Sequence, residues 1–309
     1  MVRDFLYDAF PDGAFGGNVA GVVLDSSGMS SAEMQRIASE LNAPTTGFVV
    51  DHQDGHAPVF AICYFTPRQQ IGLCGYAAVA TFTALVEEGR CKLQDESTRV
   101  LQRTWAGELL IDLSSAEDSG VMVEMDQWLP SFETSSLETL PVGRALGDLR
   151  QDSRLSLEIA PTGRRHLPVP YARVDDLPHL SPNYTGRAGM SHALRVNTVC
   201  AFAVSPEGAT HVRLRDFCSG IGVNEERASG TTSGAQASYL IRQGVPLAES
   251  SGEVLVRVAQ GLETGPRSRI EAKLLLVEAK VGSVSVRGKA ARVLAGCILP
   301  ASLRAKETL

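Results

Sequence analysis

One pattern occurs twice in this chain, and it constrains the fold more than any other feature. Phe65 to Leu85 reads FTPRQQIGLCGYAAVATFTAL, and Phe217 to Leu240 reads FCSGIGVNEERASGTTSGAQASYL. An apolar strand-like run precedes each, Pro58 to Tyr64 in the first case and Val212 to Phe217 in the second. A glycine-rich loop follows, then a stretch of small and apolar residues, which in the first case meets no breaker until Gly89 and in the second runs to about Arg242, before Gly244. This order predicts strand, loop and a largely buried helix, the second following Ser229-Gly230-Thr231 and running to about Arg242. A chain of 309 residues has room for two domains of ordinary size, and the doubled motif favours two. We place the first half at residues 1–128 and the second at 129–289, with Leu129 to about Ser136 as linker. The stretch from about 290 to 309 opens with a strand, Ala291 to Leu299, that can return to the first half and lock the two together.

Cys74-Gly75 and Ser229-Gly230 occupy equivalent places at the mouths of the two helices. A helix N-terminus presents backbone N–H groups without intrahelical partners and carries partial positive charge, so it suits an anion. It also favours the thiolate of a cysteine placed there. Two such mouths converging on one cleft would hold a small carboxylate between them. The competing reading of Cys74 is packing, because cysteine is among the residues most often buried.

Composition narrows the classes of function. The net charge of −6, with no basic stripe, argues against nucleic acid. No apolar run approaches membrane-spanning length, and Asp4 and Asp8 stand where a signal peptide would be apolar, so a cytoplasmic protein is expected. The six cysteines include no C-x-x-C pair, and the six histidines show no metal-ligand spacing. Neither a dinucleotide fingerprint nor a phosphate-binding loop is present. We therefore expect no metal and no cofactor, and a small-molecule partner.

Elsewhere the chain reads as short strands with few helices. Asp4–Asp8 and Val19–Leu24 are strands about the turn Phe15-Gly-Gly-Asn18, and Asn18 either completes that turn or aims its amide at the cleft. Ser30 and Glu33 form a capping box for a helix through Leu41. Thr45 and Thr46 sit at the junction of a loop with strand Phe48–Asp51. Strands follow at Val100–Arg103, Gly107–Leu113 and Val121–Met125. The second half is read as a short helix at Val142–Leu149, a strand at Leu155–Ile159, a proline-rich crossing at Thr162–Pro170, and a polar loop at Pro182–Gly186. Strands Val199–Val204, Gly252–Gln260, Arg269–Ala279 and Val281–Val286 complete it.

Specific segments resemble the phenazine-biosynthesis (PhzF-like) isomerases, a family similar in architecture to diaminopimelate epimerase. They are Phe15-Gly-Gly-Asn-Val-Ala20, Met34 to Asn42 with Thr46-Gly-Phe48, Phe65-Thr-Pro67, and Leu73-Cys-Gly75. The series continues with Arg215-Asp-Phe217, Gly222, Glu225-Glu226, Ser229-Gly-Thr231 and Gln260-Gly261. The resemblance implies a mixed α+β fold of two pseudo-symmetric halves, each a curled mixed sheet around a central helix. It also implies a cofactor-independent enzyme that moves protons on carbon, often as a homodimer. At four places the chain departs from the family pattern. Thr45 stands where the family's loop carries its acid/base Glu, and Tyr76 where a His follows Cys-Gly. Glu226 replaces an Asp, and Ser229-Gly230-Thr231 replaces Thr-Gly-Ser. A hydroxyl is far too weakly acidic to serve as a base in place of a carboxylate near neutral pH.

The residues left to move a proton are Cys74 and Glu226. Tyr76 is either a donor to a carboxylate or enolate, or a packed aromatic. Gly75, Ser229, Gly230, Thr231, Thr45 and Asn18 are read as substrate-binding. The leading expectation is an isomerase that shifts a proton or double bond on a small unsaturated cyclic amino or imino acid in secondary metabolism. An epimerase or dehydratase of the same fold, and an inactive relative that binds a metabolite or protein, are the alternatives.

Overall fold

The computed structural model describes residues 2–55, 57–94, 97–117, 120–134, 142–147, 151–205, 211–265 and 267–298. Its contacts divide the chain into two compact units, Met1–Met125 with the segment from Gly288 onward, and Asp126–Arg287. In chain order the first unit holds β1 (Val2–Ala9), β2 (Asn18–Val23), α1 (Ser31–Leu41), β3 (Thr45–Gln53), β4 (Val59–Phe65), β5 (Gln70–Ile71), α2 (Gly75–Glu87), β6 (Thr98–Thr104), β7 (Gly107–Ser115) and β8 (Val121–Gln127). The second holds α3 (Val142–Leu146), β9 (Ala160–Pro161), β10 (Arg165–Pro170), α4 (Tyr184–Leu194), β11 (Thr198–Val204), β12 (Val212–Phe217), α5 (Gly230–Arg242), β13 (Glu249–Ser250), β14 (Glu253–Gln260), β15 (Ser268–Val277) and β16 (Lys280–Gly288). A last strand, β17 (Ala290–Ile298), belongs to the first unit and pairs antiparallel with β1.

The two units repeat one ladder. In the first, β2 runs parallel to β3, β3 antiparallel to β4, β4 parallel to β6, and β6, β7 and β8 follow as antiparallel neighbours. In the second, β10 is parallel to β11, β11 antiparallel to β12, β12 parallel to β14, and β14, β15 and β16 follow antiparallel. Parallel neighbours need a crossover, and helices supply it in corresponding places: α1 and α4 in the first crossover of each unit, α2 and α5 in the second. The fold is thus a sheet-dominated α+β architecture with mixed ladders.

The second crossover helices are the buried ones. Every residue of α2 from Ala77 to Leu85 is buried, and the helix packs on β1, β2, β3 and β17. In α5 every residue from Thr232 to Leu240 is buried, against β9, β10 and β15. A helix apolar or small on all sides has no solvent face to offer, so the sheet wraps it. Around it Phe202 and Tyr239 meet edge-to-face with ring centroids 5.8 Å apart, as do Phe60 and Phe82 in the first unit. The expected capping box at α1 is formed: Ser30 Oγ accepts from Glu33 N, and the Glu33 carboxylate accepts from Ser30 N at 2.8 Å.

Four local expectations are corrected. Residues Leu155–Ile159 do not form a strand; only Ile159 makes a bridge, with Glu133. Side chains of α5 and its end take the backbone groups there, Gln243 accepting from Ser156 N and Tyr239 donating to Ser156 O. The proline-rich crossing is largely a strand, β10. Tyr171 N donates to Phe202 O, so odd-numbered residues turn their N–H toward β11, while Pro168 and Pro170 face the other edge, where no N–H is required. The polar loop at Pro182–Gly186 leads into α4, capped by Asn183, whose side chain accepts from Gly186 N. Strand β3 begins at Thr45, three residues early, because Thr45 and Thr46 already pair with Ala20 and Gly21 of β2. The ends of the expected linker, of the Val142–Leu149 helix and of the strand to Leu299 lie outside the described residues. Among the described residues no helix is long and apolar enough to cross a membrane, which says nothing of a β-barrel.

Candidate active site

In the first unit the loop after β5 delivers Cys74 as the extended N-cap of α2, with φ −145° and ψ 111°. Its side chain is 8 % exposed and makes no cap bond to the helix. Ala78 N donates to Cys74 O at 2.9 Å as the first helical bond, so the N–H groups of Gly75, Tyr76 and Ala77 precede it. Gly75 has little space behind it: a Cβ there would stand 3.2 Å from Met125 Cε. Gly72 packs against the tip of the β6–β7 hairpin, where a Cβ would meet Ala106 Cβ at 2.6 Å. Burial first, then the neighbouring Cys74, pushes the Tyr64 phenol well above its ordinary value.

Tyr76 and Thr45 share a hydroxyl–hydroxyl hydrogen bond of 2.9 Å. Thr45 is buried, at 2 % exposed, and pairs with Ala20. Asn18, also buried, lies two residues before Ala20 and therefore on the same face of β2. Its backbone follows Gly17, which adopts φ +78° and could not carry a side chain, because a Cβ would fall 2.0 Å from Ala9 O. The first unit thus gathers Cys74, Gly75, Tyr76 and Thr45 around the mouth of α2, with Asn18 on the strand beside Thr45.

In the second unit Ser229 is the N-cap of α5 and, unlike Cys74, caps it: its hydroxyl accepts from Thr232 N at 3.4 Å. Thr231 Oγ1 is 3.4 Å from Ser229 Oγ, and Gly230 opens the helix. Glu226 is half-buried in the loop before it, its N–H bonded to Asp216 O at 2.8 Å. Gln260, fully buried on β14, clamps the loop by accepting from Ser229 N at 3.2 Å and donating to Glu226 O at 2.7 Å. The two adjacent glutamates have different roles. Glu225 forms a two-pronged ion pair with Arg215 at 2.8 and 2.9 Å, and Arg215 also ties down Leu177 O and Leu180 O.

Behind Ser229 lies a polar cluster that the sequence reading did not single out. Thr232 Oγ1 donates to Asp216 Oδ2 at 2.6 Å and lies 2.9 Å from Ser229 Oγ and 3.4 Å from His166 Nδ1. His166 Nδ1 is 2.9 Å from Thr198 Oγ1, and Cys200 Sγ donates to Asp216 Oδ1 at 3.4 Å. Burial pushes the Asp216 carboxyl up, opposed by its bond from Thr232, and pushes His166 down to about 3. A signal for Asp216 existed. In Val212-Arg-Leu-Arg-Asp-Phe217 it shares the inward face with Val212 and Leu214, and a carboxylate on the core side of a strand needs partners. Among the described residues no group of three His, Cys, Asp or Glu side chains is placed to hold a metal ion.

Twin crossover helices, each opening at a glycine after a Cys or Ser cap, define a phenazine-type isomerase or epimerase architecture. Residues 7–296 match the model of the phenazine biosynthesis-like (PhzC-PhzF) family, and the chain belongs to that family. It is 31 % identical over 281 residues to an uncharacterized isomerase of Deinococcus radiodurans, covering 89 % of this chain and 87 % of that one. With the trans-2,3-dihydro-3-hydroxyanthranilate isomerase of Pseudomonas aeruginosa it shares 28 % identity over 293 residues, 94 % of this chain and 97 % of the relative. The crystal structure of a PhzF-family phenazine biosynthesis protein from Bacillus anthracis superposes with a TM-score of 0.83 at 26 % identity, covering 96 % and 99 % of the two chains.

Proposed function

We propose that this isomerase shifts a proton, and with it a double bond, on a small unsaturated cyclic amino or imino acid of secondary metabolism, without a cofactor. The Pseudomonas aeruginosa relative acts, by its name, on a dihydro amino acid of this kind. The observation that carries the reading is Cys74, buried and extended at the mouth of a buried helix whose first-turn donors it does not cap. A 1,3-shift needs one base to take the proton, donors to hold the enolate-like intermediate, and an acid to return the proton at the far carbon. Cys74 is the base in this reading, and Tyr76, already hydrogen-bonded to Thr45, donates to the developing enolate. In the second unit Gly230 N–H and the Thr231 and Ser229 hydroxyls are the groups suited to a carboxylate, and in the first unit Gly75 and Asn18 are the further polar contacts of this reading. Glu226 is the competing base.

The test follows trans-2,3-dihydro-3-hydroxyanthranilate in deuterated water by NMR, with wild type, Cys74→Ser, Cys74→Ala and Glu226→Gln. Deuterium entering one carbon as the double bond moves is the expected result. Loss of about 10²-fold or more in turnover is expected for both Cys74 variants, with binding retained. Loss confined to Glu226→Gln would transfer the role of base to Glu226. Deuterium in both enantiomers of an amino acid substrate would make the enzyme an epimerase, and binding without exchange would mark a catalytically inactive relative.

A further inference from the structure

We propose that Ser229, Thr232 and Asp216 form a proton relay, through which the hydroxyl at the mouth of α5 takes up or releases a proton while a fully buried carboxyl changes its charge. The inference rests on the isomerase reading and adds to it the acid that returns the proton.

Proton counting carries the argument. Thr232 has one hydroxyl proton, and it goes to Asp216 Oδ2 at 2.6 Å. The 2.9 Å contact between Ser229 Oγ and Thr232 Oγ1 must then have Ser229 as donor. Ser229 accepts from Thr232 N on one lone pair, and its other lone pair faces Thr231 Oγ1 at 3.4 Å, a long contact that a proton donor at the mouth of the helix can displace. When a proton arrives at Ser229 Oγ, the serine's own proton passes to Thr232 and that of Thr232 passes to Asp216. One O–H bond forms and one breaks at each hydroxyl, and a new O–H forms on the carboxylate. In turnover Cys74 takes the substrate's proton, and the electron pair of the broken C–H bond stays on the substrate as its enolate. The reverse sequence, starting from protonated Asp216, delivers a proton through Thr232 and Ser229 to carbon. Cys74 then gives its proton to water, and Asp216 regains one from water by the forward sequence, so the cycle closes.

The carboxyl has the surroundings such a role requires. Asp216 is 0 % exposed and Thr232 1 %, so solvent does not compete for either. No salt bridge locks Asp216 in one state among the described residues, whereas Glu225 nearby is held by Arg215. Of the charged and titratable groups around it, Cys200 on β11 donates to it, and Arg164 before β10 and Cys218 after β12 act on it electrostatically. His166 on β10 reaches Thr232 beside it, and Glu226 in the loop after β12 acts on Cys218 and meets Asp216 through its backbone N–H. Burial dominates over all of them and raises the carboxyl's proton affinity, as a relay terminus needs.

The experiment compares Thr232→Val, Thr232→Ser, Asp216→Asn and Ser229→Ala with wild type in two measurements. The first is turnover of the same dihydro amino acid across pH. Thr232→Val keeps the shape and removes the hydroxyl, and we expect kcat to fall about 10²-fold, within the range of one lost acid–base function, with KM little changed. Thr232→Ser should restore the rate, and Asp216→Asn should remove the limb of the pH profile that reports this carboxyl. A Thr232→Val enzyme that keeps its kcat overturns the relay and leaves the isomerase reading standing. The second measurement needs no substrate: the infrared carbonyl band of a protonated, buried aspartic acid, followed through a pH titration. It should vanish in Asp216→Asn, shift in Thr232→Val and in Ser229→Ala, and return toward its original position in Thr232→Ser. If wild type turns over no cyclic amino acid, the isomerase reading fails, and an unshifted band in Thr232→Val then overturns the relay as well.

Discussion

The resemblance to phenazine-type isomerases puts Thr45 at the place of that family's loop carboxylate, and the structure shows what surrounds this residue. It is buried within a strand, paired with Ala20, and its hydroxyl engages Tyr76 at 2.9 Å. A single neutral hydrogen bond contributes on the order of 1 kcal/mol. Thr45→Ala should therefore reduce kcat no more than about tenfold, since 1.4 kcal/mol is tenfold; a loss of several orders of magnitude would show Thr45 to be central to the chemistry. Gly17 makes a sharper prediction about stability. With φ +78° and the Ala9 carbonyl 2.0 Å from any Cβ, Gly17→Ala must displace the β1–β2 connection. The expected cost is about 2 kcal/mol or more, read as a lower denaturant midpoint at unchanged slope.

At the scale of elements, α4 and β10 show how tertiary context overrides local signals. The α4 sequence, Tyr-Thr-Gly-Arg-Ala-Gly-Met-Ser-His-Ala-Leu, carries two glycines that weaken any isolated helix. It forms because Asn183 caps it and because Arg187, Met190 and Ser191 are buried on one face, Met190 in the same apolar cluster as Leu146 and Val196. Gly189 is exposed within this helix, and nothing lies within 4 Å of a Cβ there. Gly189→Ala should thus stabilise the protein by about 0.5–1 kcal/mol, a rise of a few degrees in Tm at most. A lower Tm would mean that the glycine serves a contact or a motion that the helix geometry does not reveal. In β10 the spacing of Pro168 and Pro170 by two residues is compatible with a strand, because both prolines then turn to the same edge.

For the whole molecule, the buried histidine sets a pH dependence of known sign. His166 has its value depressed from 6.5 to about 3, first by burial and then by Arg164. Between those values the unfolded chain binds a proton that the folded one refuses, so stability falls as pH drops from 6.5 toward 3. The slope is at most about 1.4 kcal/mol per pH unit for one proton. Asp216 works in the opposite sense. Its raised value lets the folded state hold a proton more tightly than the unfolded one, a contribution lost as pH rises through the folded value. Chemical denaturation at a series of pH values should show a flatter acid limb for His166→Gln and a steeper one for Asp216→Asn. An acid limb unaltered in His166→Gln would show that the imidazole is protonated in the folded state.

The sequence by itself determined the elements whose signals are local. The caps at Ser30, Cys74 and Ser229, the two buried helices and most strands follow from periodicity, glycine placement and capping chemistry, which act within a few residues. The doubled motif corresponds to one strand, loop and buried helix in each unit, while the repeated ladder of parallel and antiparallel neighbours is visible only in the fold. Tertiary structure alone decided what depended on distant partners. Leu155–Ile159 lost its ladder to Gln243 and Tyr239, more than eighty residues away in sequence, and Gln260 reached back to fix Ser229 and Glu226. The cluster of His166, Thr198, Asp216 and Thr232 joins four elements, so no window of sequence contains it. A carboxyl's proton affinity depends on what surrounds it in space, and only the fold brings those surroundings together.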